Sequence, residues 1–341
     1  MFFYLLKGEK KMKKRMITGV QPTGNFTIAN YIGAIKNFVK LQSEHESYIF
    51  IADMHGVTSY KDPKEMSKTI LDFVAIYLAC GVDPNYTNFF VQSDINEHGM
   101  LGFLIAFQCR VGELSRMTQY KSKKEKLGNN GVDLGLFIYP TLMAADILLY
   151  DAKVVPVGID QKQHIEMTRD LGERFNKRFG QTFELPDYYI SKVGSKIMNL
   201  QNPKEKMSKS ADQSDKGTIF ILDDIEVSRK KIMNAVTDSE NVIKFDEENK
   251  PGISNLITLL SVISNKEIES IEKEYKNLSY GEFKKEVAKI VCEFLGDIQK
   301  KYNNYRNSPE LKEVLLKGAN KAKSVASLKI LDVRNKMGIF Y

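Results

Sequence analysis

Residues 15–42, RMITGVQPTGNFTIANYIGAIKNFVKLQ, decide the fold. RMITGVQP (15–22) is an apolar run of strand character, broken by a Gly/Asn turn. A helical pattern then runs from Asn30 to about Gln42. The alternation continues downstream. SYIFIAD (47–53) is a short buried-strand run ending in Asp. Asp62-Pro63 places an N-cap and a first-position proline at the start of a helix that runs to Cys80 and stops at Gly81. TNFFVQSD (87–94) and KVVPVG (153–158) are further strands. Strands interleaved with helices of about 12 to 18 residues predict βαβ units, a parallel sheet and an α/β, Rossmann-like domain.

After residues 199–218, NLQNPKEKMSKSADQSDKGT, the pattern changes. TIFILDD (218–224) is expected to be a last extended piece; beyond it IEVSRKKIMNAV and GEFKKEVAKIVCEFLGDIQKKY are amphipathic helices. Ser308-Pro309-Glu310 starts another, with Leu311, Val314, Leu315, Ala322, Val325, Leu328 and Leu331 at roughly helical spacing.

Composition excludes little. The chain has 341 residues, 43% hydrophobic and 27% charged, with no apolar run long enough to span a membrane. Its formal charge is +7, but residues 1–15 contribute +5 of it, so net charge says nothing about partners. That opening segment makes a poor signal peptide, because its apolar part precedes its lysines; Met12 is expected to be the natural start and residues 1–11 an extension. Three scattered cysteines, Cys80, Cys109 and Cys292, have no metal-ligand spacing and suit a reducing cytoplasm, with Cys80 and Cys109 expected in the core.

Neither G-x-G-x-x-G nor the P-loop pattern occurs. Four stretches carry chemistry instead. GVQPTGNFTIANYIGA (19–34) joins a strand end to a helix start, where unpaired N–H groups favour phosphate. VVPVGIDQKQHIEM (154–167) brings Asp160, Gln161 and Gln163 to the sheet's carboxyl edge; Asp160 suits a ribose diol, or else caps the helix near Gln161. YPTLMAADILLYDA (139–152) sets Asp146 in an apolar helix, where it needs a donor: an internal Arg, Tyr or N–H, or a bound ligand. KMSKS (206–210) is either a solvated loop or a mobile basic loop that closes over phosphates, and a chance match is roughly one in a thousand.

With these stretches in this order, the sequence resembles class I aminoacyl-tRNA synthetases, and within them the bacterial tryptophanyl enzymes. GELSRMTQYK (112–121), VPVGIDQKQHIEMTRDLGERFN (155–176), AVTDSE (235–240) and KPGISNL (250–256) extend the likeness over nearly all of residues 16–341. The resemblance implies a Rossmann-like catalytic domain over 12–200, with a helix from 311–341 packing back on it. A hinge loop and helical anticodon-binding domain would occupy 201–310. It also implies a cytoplasmic homodimer, not a membrane protein, that acts on L-tryptophan, ATP with Mg²⁺ held through the phosphates, and tRNA(Trp).

Residue by residue, the resemblance implies a catalytic set of Lys206, Lys209, Gln21, Thr27 and Asn30. ATP would meet Gln21, Pro22, Thr23, Ala29, Asn30, Gly158, Ile159, Asp160, Ile197, Lys206, Met207, Ser208, Lys209 and Ser210. Ala29 replaces a usual glycine, so its methyl either weakens ATP binding or is absorbed by a small shift. Gly19, His55, Tyr139, Met143, Val155, Val157 and Gln161 would surround tryptophan, and Asp146 would accept the indole N–H, so that its donor belongs to the ligand. Rival readings are a tyrosyl-tRNA synthetase, a non-charging paralogue and a nucleotidylyltransferase.

Overall fold

The computed structural model describes residues 13–58, 62–127, 132–189, 196–209 and 211–340. The expected N-terminal extension lies outside these residues, as does Ser210. Five strands form one sheet: β1 (Arg15–Val20), β2 (Glu46–Ile51), β3 (Thr87–Val91), β4 (Val154–Pro156) and β5 (Asp187–Tyr189). Their order is β3-β2-β1-β4-β5 and every pairing is parallel. The chain builds outward from β1 on one side, then returns to its other side with β4. The carboxyl ends of β1 and β4 therefore flank the crevice where such sheets bind ligands.

Both faces of the sheet are covered. Along β1 and β2, Met16, Ile49 and Ile51 enter one buried cluster while Ile17, Tyr48 and Phe50 enter the other. That two-sided burial is why SYIFIAD is continuously apolar rather than alternating. On one face lies the Pro63–Ala79 helix, where the Asp62 side chain accepts from the Lys64 N–H and Gly81 (φ +104°) ends the turn. The same cluster continues into the helical half through Leu256, Phe283, Val287 and Leu295, so the two halves share a core.

The final helix, Glu310–Met337, crosses β3, and Gly318 makes this possible: an added Cβ there would overlap the Phe89 carbonyl. Its buried face is Leu311, Gly318, Ala322, Ala326, Ile330 and Val333. Leu328 and Leu331, expected in that stripe, are 71% and 50% exposed. The helix turns with the drift of its own period, and small residues take over where it meets the sheet closely.

Two other expectations change, and one strand appears that was not foreseen. TIFILDD is not a strand; Phe220 makes one isolated bridge to Thr27, and Ile219 O and Ile221 N bond the backbone of Ile28 and Phe26 at 3.0 and 2.8 Å. β5 was not expected at all, being a three-residue edge piece without an apolar run. Cys292 is the buried cysteine, whereas Cys80 and Cys109 are half-buried at helix ends.

Candidate active site

A cavity of about 570 Å³ opens at the crevice beside β1 and β4. Its apolar floor includes Gly19 and Val155 from the two strands, and Phe50 from β2. Gly19 must lack a side chain here, because a Cβ would lie 2.5 Å from the Phe50 ring.

At one end sits Asp146, 1% exposed, near the end of the Leu134–Leu148 helix. Three donors from the sheet's carboxyl edge converge on it. His55, after β2, approaches Oδ2 through Nε2 at 2.8 Å. Gln92, after β3, donates Nε2 to Oδ1 at 2.7 Å, and His98 places Nδ1 2.7 Å from the same oxygen. Burial raises the carboxyl's pKa, but the two imidazoles outweigh it and hold the value at about 2. Asp146 is therefore satisfied from within the chain. The expectation that its donor must belong to a ligand is corrected, and the donors are histidines and an amide rather than Arg, Tyr or backbone.

Beside this end, the Tyr139 hydroxyl lies 2.7 Å from His164 Nε2 and 3.0 Å from Gln119 Oε1. His164 is 2% exposed, and burial pushes its pKa down to about 4. The neutral ring donating from Nε2 lets Tyr139 donate in turn to Gln119, with one lone pair of the hydroxyl left over.

The other end is polar. Gly158 leaves room for the Asp160 carboxylate, since a Cβ would come within 2.5 Å of Oδ1. Asp160 accepts from Gln161 Nε2 at 2.7 Å. It does not cap the following helix, whose N-cap is Gln161 without a side-chain bond, so the capping alternative fails. Gln163 turns away and accepts the backbone N–H and hydroxyl of Thr118, both at 3.0 Å.

Lys209 also reaches this wall. Its carbonyl accepts the Asn25 N–H at 3.2 Å, and Gly24 (φ +72°) permits the approach, because a Cβ would stand 2.5 Å from that oxygen. Behind it the loop is tied at its base: Asn199 N–H bonds Glu205 O at 2.8 Å, Met207 N–H bonds Ile197 O at 3.0 Å, and Leu200 N–H bonds Gly217 O at 2.8 Å.

A family model described as "tRNA synthetases class I (W and Y)" matches residues 9–296. The chain belongs to that family. A tryptophan–tRNA ligase of Bacillus anthracis is 50% identical over 324 residues, 95% of this chain and 98% of that one. The crystal structure of tryptophanyl-tRNA synthetase from Mycoplasma pneumoniae superposes with a TM-score of 0.85 at 36% identity, covering 96% and 99% of the two chains. That from Campylobacter jejuni, complexed with ADP and tryptophan, gives 0.82 at 33%, covering 95% and 99%. The likeness places the chain with the bacterial tryptophanyl type, as the motifs imply.

Of the residues expected in the synthetase site, the structure gathers Gly19, Gln21, Asn30, His55, Tyr139, Met143, Asp146, Val155, Val157, Gly158, Asp160, Gln161 and Lys209 around one cavity. Others stand off its wall. Thr27 is fully buried and caps the helix that begins at Ile28; it donates its hydroxyl to Asn30 Oδ1 at 2.9 Å. Ala29 packs in the core cluster and does not line the cavity. Ile197 and Met207 are buried beneath the loop, Pro22 is buried, and Thr23, Lys206 and Ser208 lie outside the cavity wall. The backbone of Ile159 forms a short 3-10 turn with Asp160 and Gln161. Sequence reading missed Thr18, Asn25, Gln119 and Lys123 on the wall, and Gln92, His98 and His164 behind it. The Lys123 position was legible only as one lysine in a basic helix.

Proposed function

We propose that the chain activates L-tryptophan with ATP, giving tryptophanyl-adenylate and pyrophosphate, and then transfers tryptophan to the 2′-hydroxyl of the terminal adenosine of tRNA(Trp). The observation that carries this is the buried Asp146 facing the same cavity as Lys209. A carboxylate at an apolar end selects a flat ring with an N–H, and a lysine at the polar end selects phosphate.

In this reading Met143, Val155, Val157 and His55 flank the indole, and Gln161 with the spare lone pair of Tyr139 takes the substrate ammonium. Gly158 and Asp160 take the ribose. Gln21, Asn30 and Lys209 line the phosphate end, and Lys206, Ser208 and Ser210 join them when the loop closes over the triphosphate. Mg²⁺ enters with the ATP phosphates and shares their charge. The tryptophan carboxylate attacks the α-phosphate and pyrophosphate leaves. Because that carboxylate is already ionised, the chain's task is alignment and charge neutralisation rather than proton transfer.

Residues 12–200 with 311–341 serve as the catalytic domain, and 201–310 as loop and anticodon-binding part. Self-association as a homodimer is supported by exposed apolar side chains gathered on neighbouring helices: Phe103, Phe107, Val111 and Leu134 are 66, 66, 72 and 68% exposed. No helix among the described residues is long and apolar enough to cross a membrane. ATP–pyrophosphate exchange tests the reading. Exchange that requires tryptophan is expected; exchange driven by tyrosine, or none with either, would overturn it.

A further inference from the structure

Asp146 has room for one more hydrogen bond, and residues remote from every motif decide where that room lies. Each carboxylate oxygen accepts about two donors. Oδ1 already has two, Gln92 Nε2 and His98 Nδ1, both at 2.7 Å, while Oδ2 has only His55 at 2.8 Å. The open acceptor position is therefore on Oδ2, beside the ring of His55 on the cavity wall. Nothing in the aspartate's own torsion fixes this, because the terminal torsion of the side chain is soft. The donors on Oδ1 fix it.

We infer that His98, oriented by Tyr150, is a positioning residue for substrate selection: it holds Asp146 Oδ1 so that Oδ2 presents its open lone pair to a heteroaromatic N–H. The inference rests on the tryptophan-activating function proposed above. His98 is fully buried, is not on the cavity wall, and reaches the cavity through Asp146 and the Phe50 ring. Its ring packs against Phe50 and Phe90, with centroids 5.8 and 6.0 Å away, and Nε2 stands 2.9 Å from the Tyr150 hydroxyl. A carboxylate can only accept, so Nδ1 carries a hydrogen, and in the neutral ring Nε2 accepts from Tyr150. Burial drives the Tyr150 phenol far above its ordinary pKa, which keeps that hydroxyl a donor. The chain of donors thus runs Tyr150 to His98 to Asp146, in one direction. Gln92 braces the same oxygen, its amide nitrogen turned to the carboxylate for the same reason.

The test compares tryptophan with β-(benzothienyl)alanine, in which sulfur replaces the indole N–H at nearly the same shape. The readout is the ratio of their kcat/KM values in ATP–pyrophosphate exchange, which a merely structural residue would leave alone while lowering both. His98→Asn keeps an amide nitrogen close to the place of Nδ1 and is expected to hold the ratio within about threefold. His98→Gln moves that nitrogen toward Nε2 and is expected to lower the ratio by about tenfold or more, the order of a lost hydrogen bond to a charged group. Tyr150→Phe removes only the orienting hydroxyl and lowers the ratio by a smaller factor, which provides the reading if a His98 variant does not fold. An unchanged ratio in both His98→Gln and Tyr150→Phe, or an Asn variant as unselective as the Gln variant, would overturn the positioning role alone. A wild-type chain with no tryptophan-dependent exchange would overturn the function proposed above and this inference with it.

Discussion

The two ends of the cavity are built on opposite principles. At the Asp146 end the carboxylate and its three donors are buried, and the donors come from three separate segments with bonds of 2.7 to 2.8 Å. At the Lys209 end the side chains are exposed or half-exposed, and the wall is made by backbone bonds between a turn and a loop. A recognition site for a flat apolar ring has to be dry and fixed before the ligand arrives, because an unpaired buried charge is costly. A phosphate site must admit and release a large polar ligand, so its cations ride on a loop that can leave. In the proposed reading the Asp146 end is preformed for the amino acid, and the Lys209 end is completed by closure over the nucleotide.

The largest effect that would break this contrast comes from Asp146→Ala. Three buried donors lose their acceptor, so kcat/KM for tryptophan should fall by about 10³-fold while ATP affinity barely changes. Separate titrations of the two ligands check it, and an equal loss of both would place Asp146 in a shared scaffold instead of the amino-acid end. Next comes Lys209→Ala, which should slow adenylate formation by about 10²-fold with tryptophan affinity nearly intact. Pre-steady-state pyrophosphate release reads this directly; a matching loss of tryptophan affinity would erase the division between the ends.

A smaller effect sharpens it through pH. His164 has its folded pKa lowered to about 4 by burial. Above its unfolded value of about 6.5 neither state carries the proton and the group is neutral in the balance. As pH falls from there toward 4, the unfolded chain binds a proton that the folded chain refuses, so stability is lost, by on the order of 3 kcal/mol at most. Urea unfolding at pH 7.5 and 5 should show that loss in the wild type and a shallower one in His164→Gln. Asp146 acts lower on the scale: its depressed folded pKa contributes stability above the ordinary carboxylate value, lost as pH falls toward 2.

The same contrast explains what could be read in the sequence. The first βα unit was legible because Arg15–Val20 and the helix after Thr27 differ in period, and Asp62-Pro63 and Gly81 mark helix ends by local chemistry. β5 was not legible, because a three-residue edge strand takes its structure from β4 and not from its own residues. At the nucleotide end the motifs are short and contiguous, so Gln21, Asn30, Asp160 and Lys209 could be placed from the sequence. The Asp146 end draws on partners 91, 54 and 48 residues away. Spacing along a chain carries no sign of such contacts, and Gln92 and His98 look like any polar residues beside a strand end. Thr27 stands off the cavity wall for a reason that local sequence also explains: its hydroxyl serves the helix cap.

In the proposed reading the tryptophan end is complete before ATP arrives. The chain contains no tryptophan, so the indole of bound substrate can be followed at red-edge excitation without background from the protein. Titrating protein into tryptophan without nucleotide should show saturable binding that Asp146→Ala abolishes. Binding that appears only after ATP is added, or that survives loss of Asp146, would contradict the account.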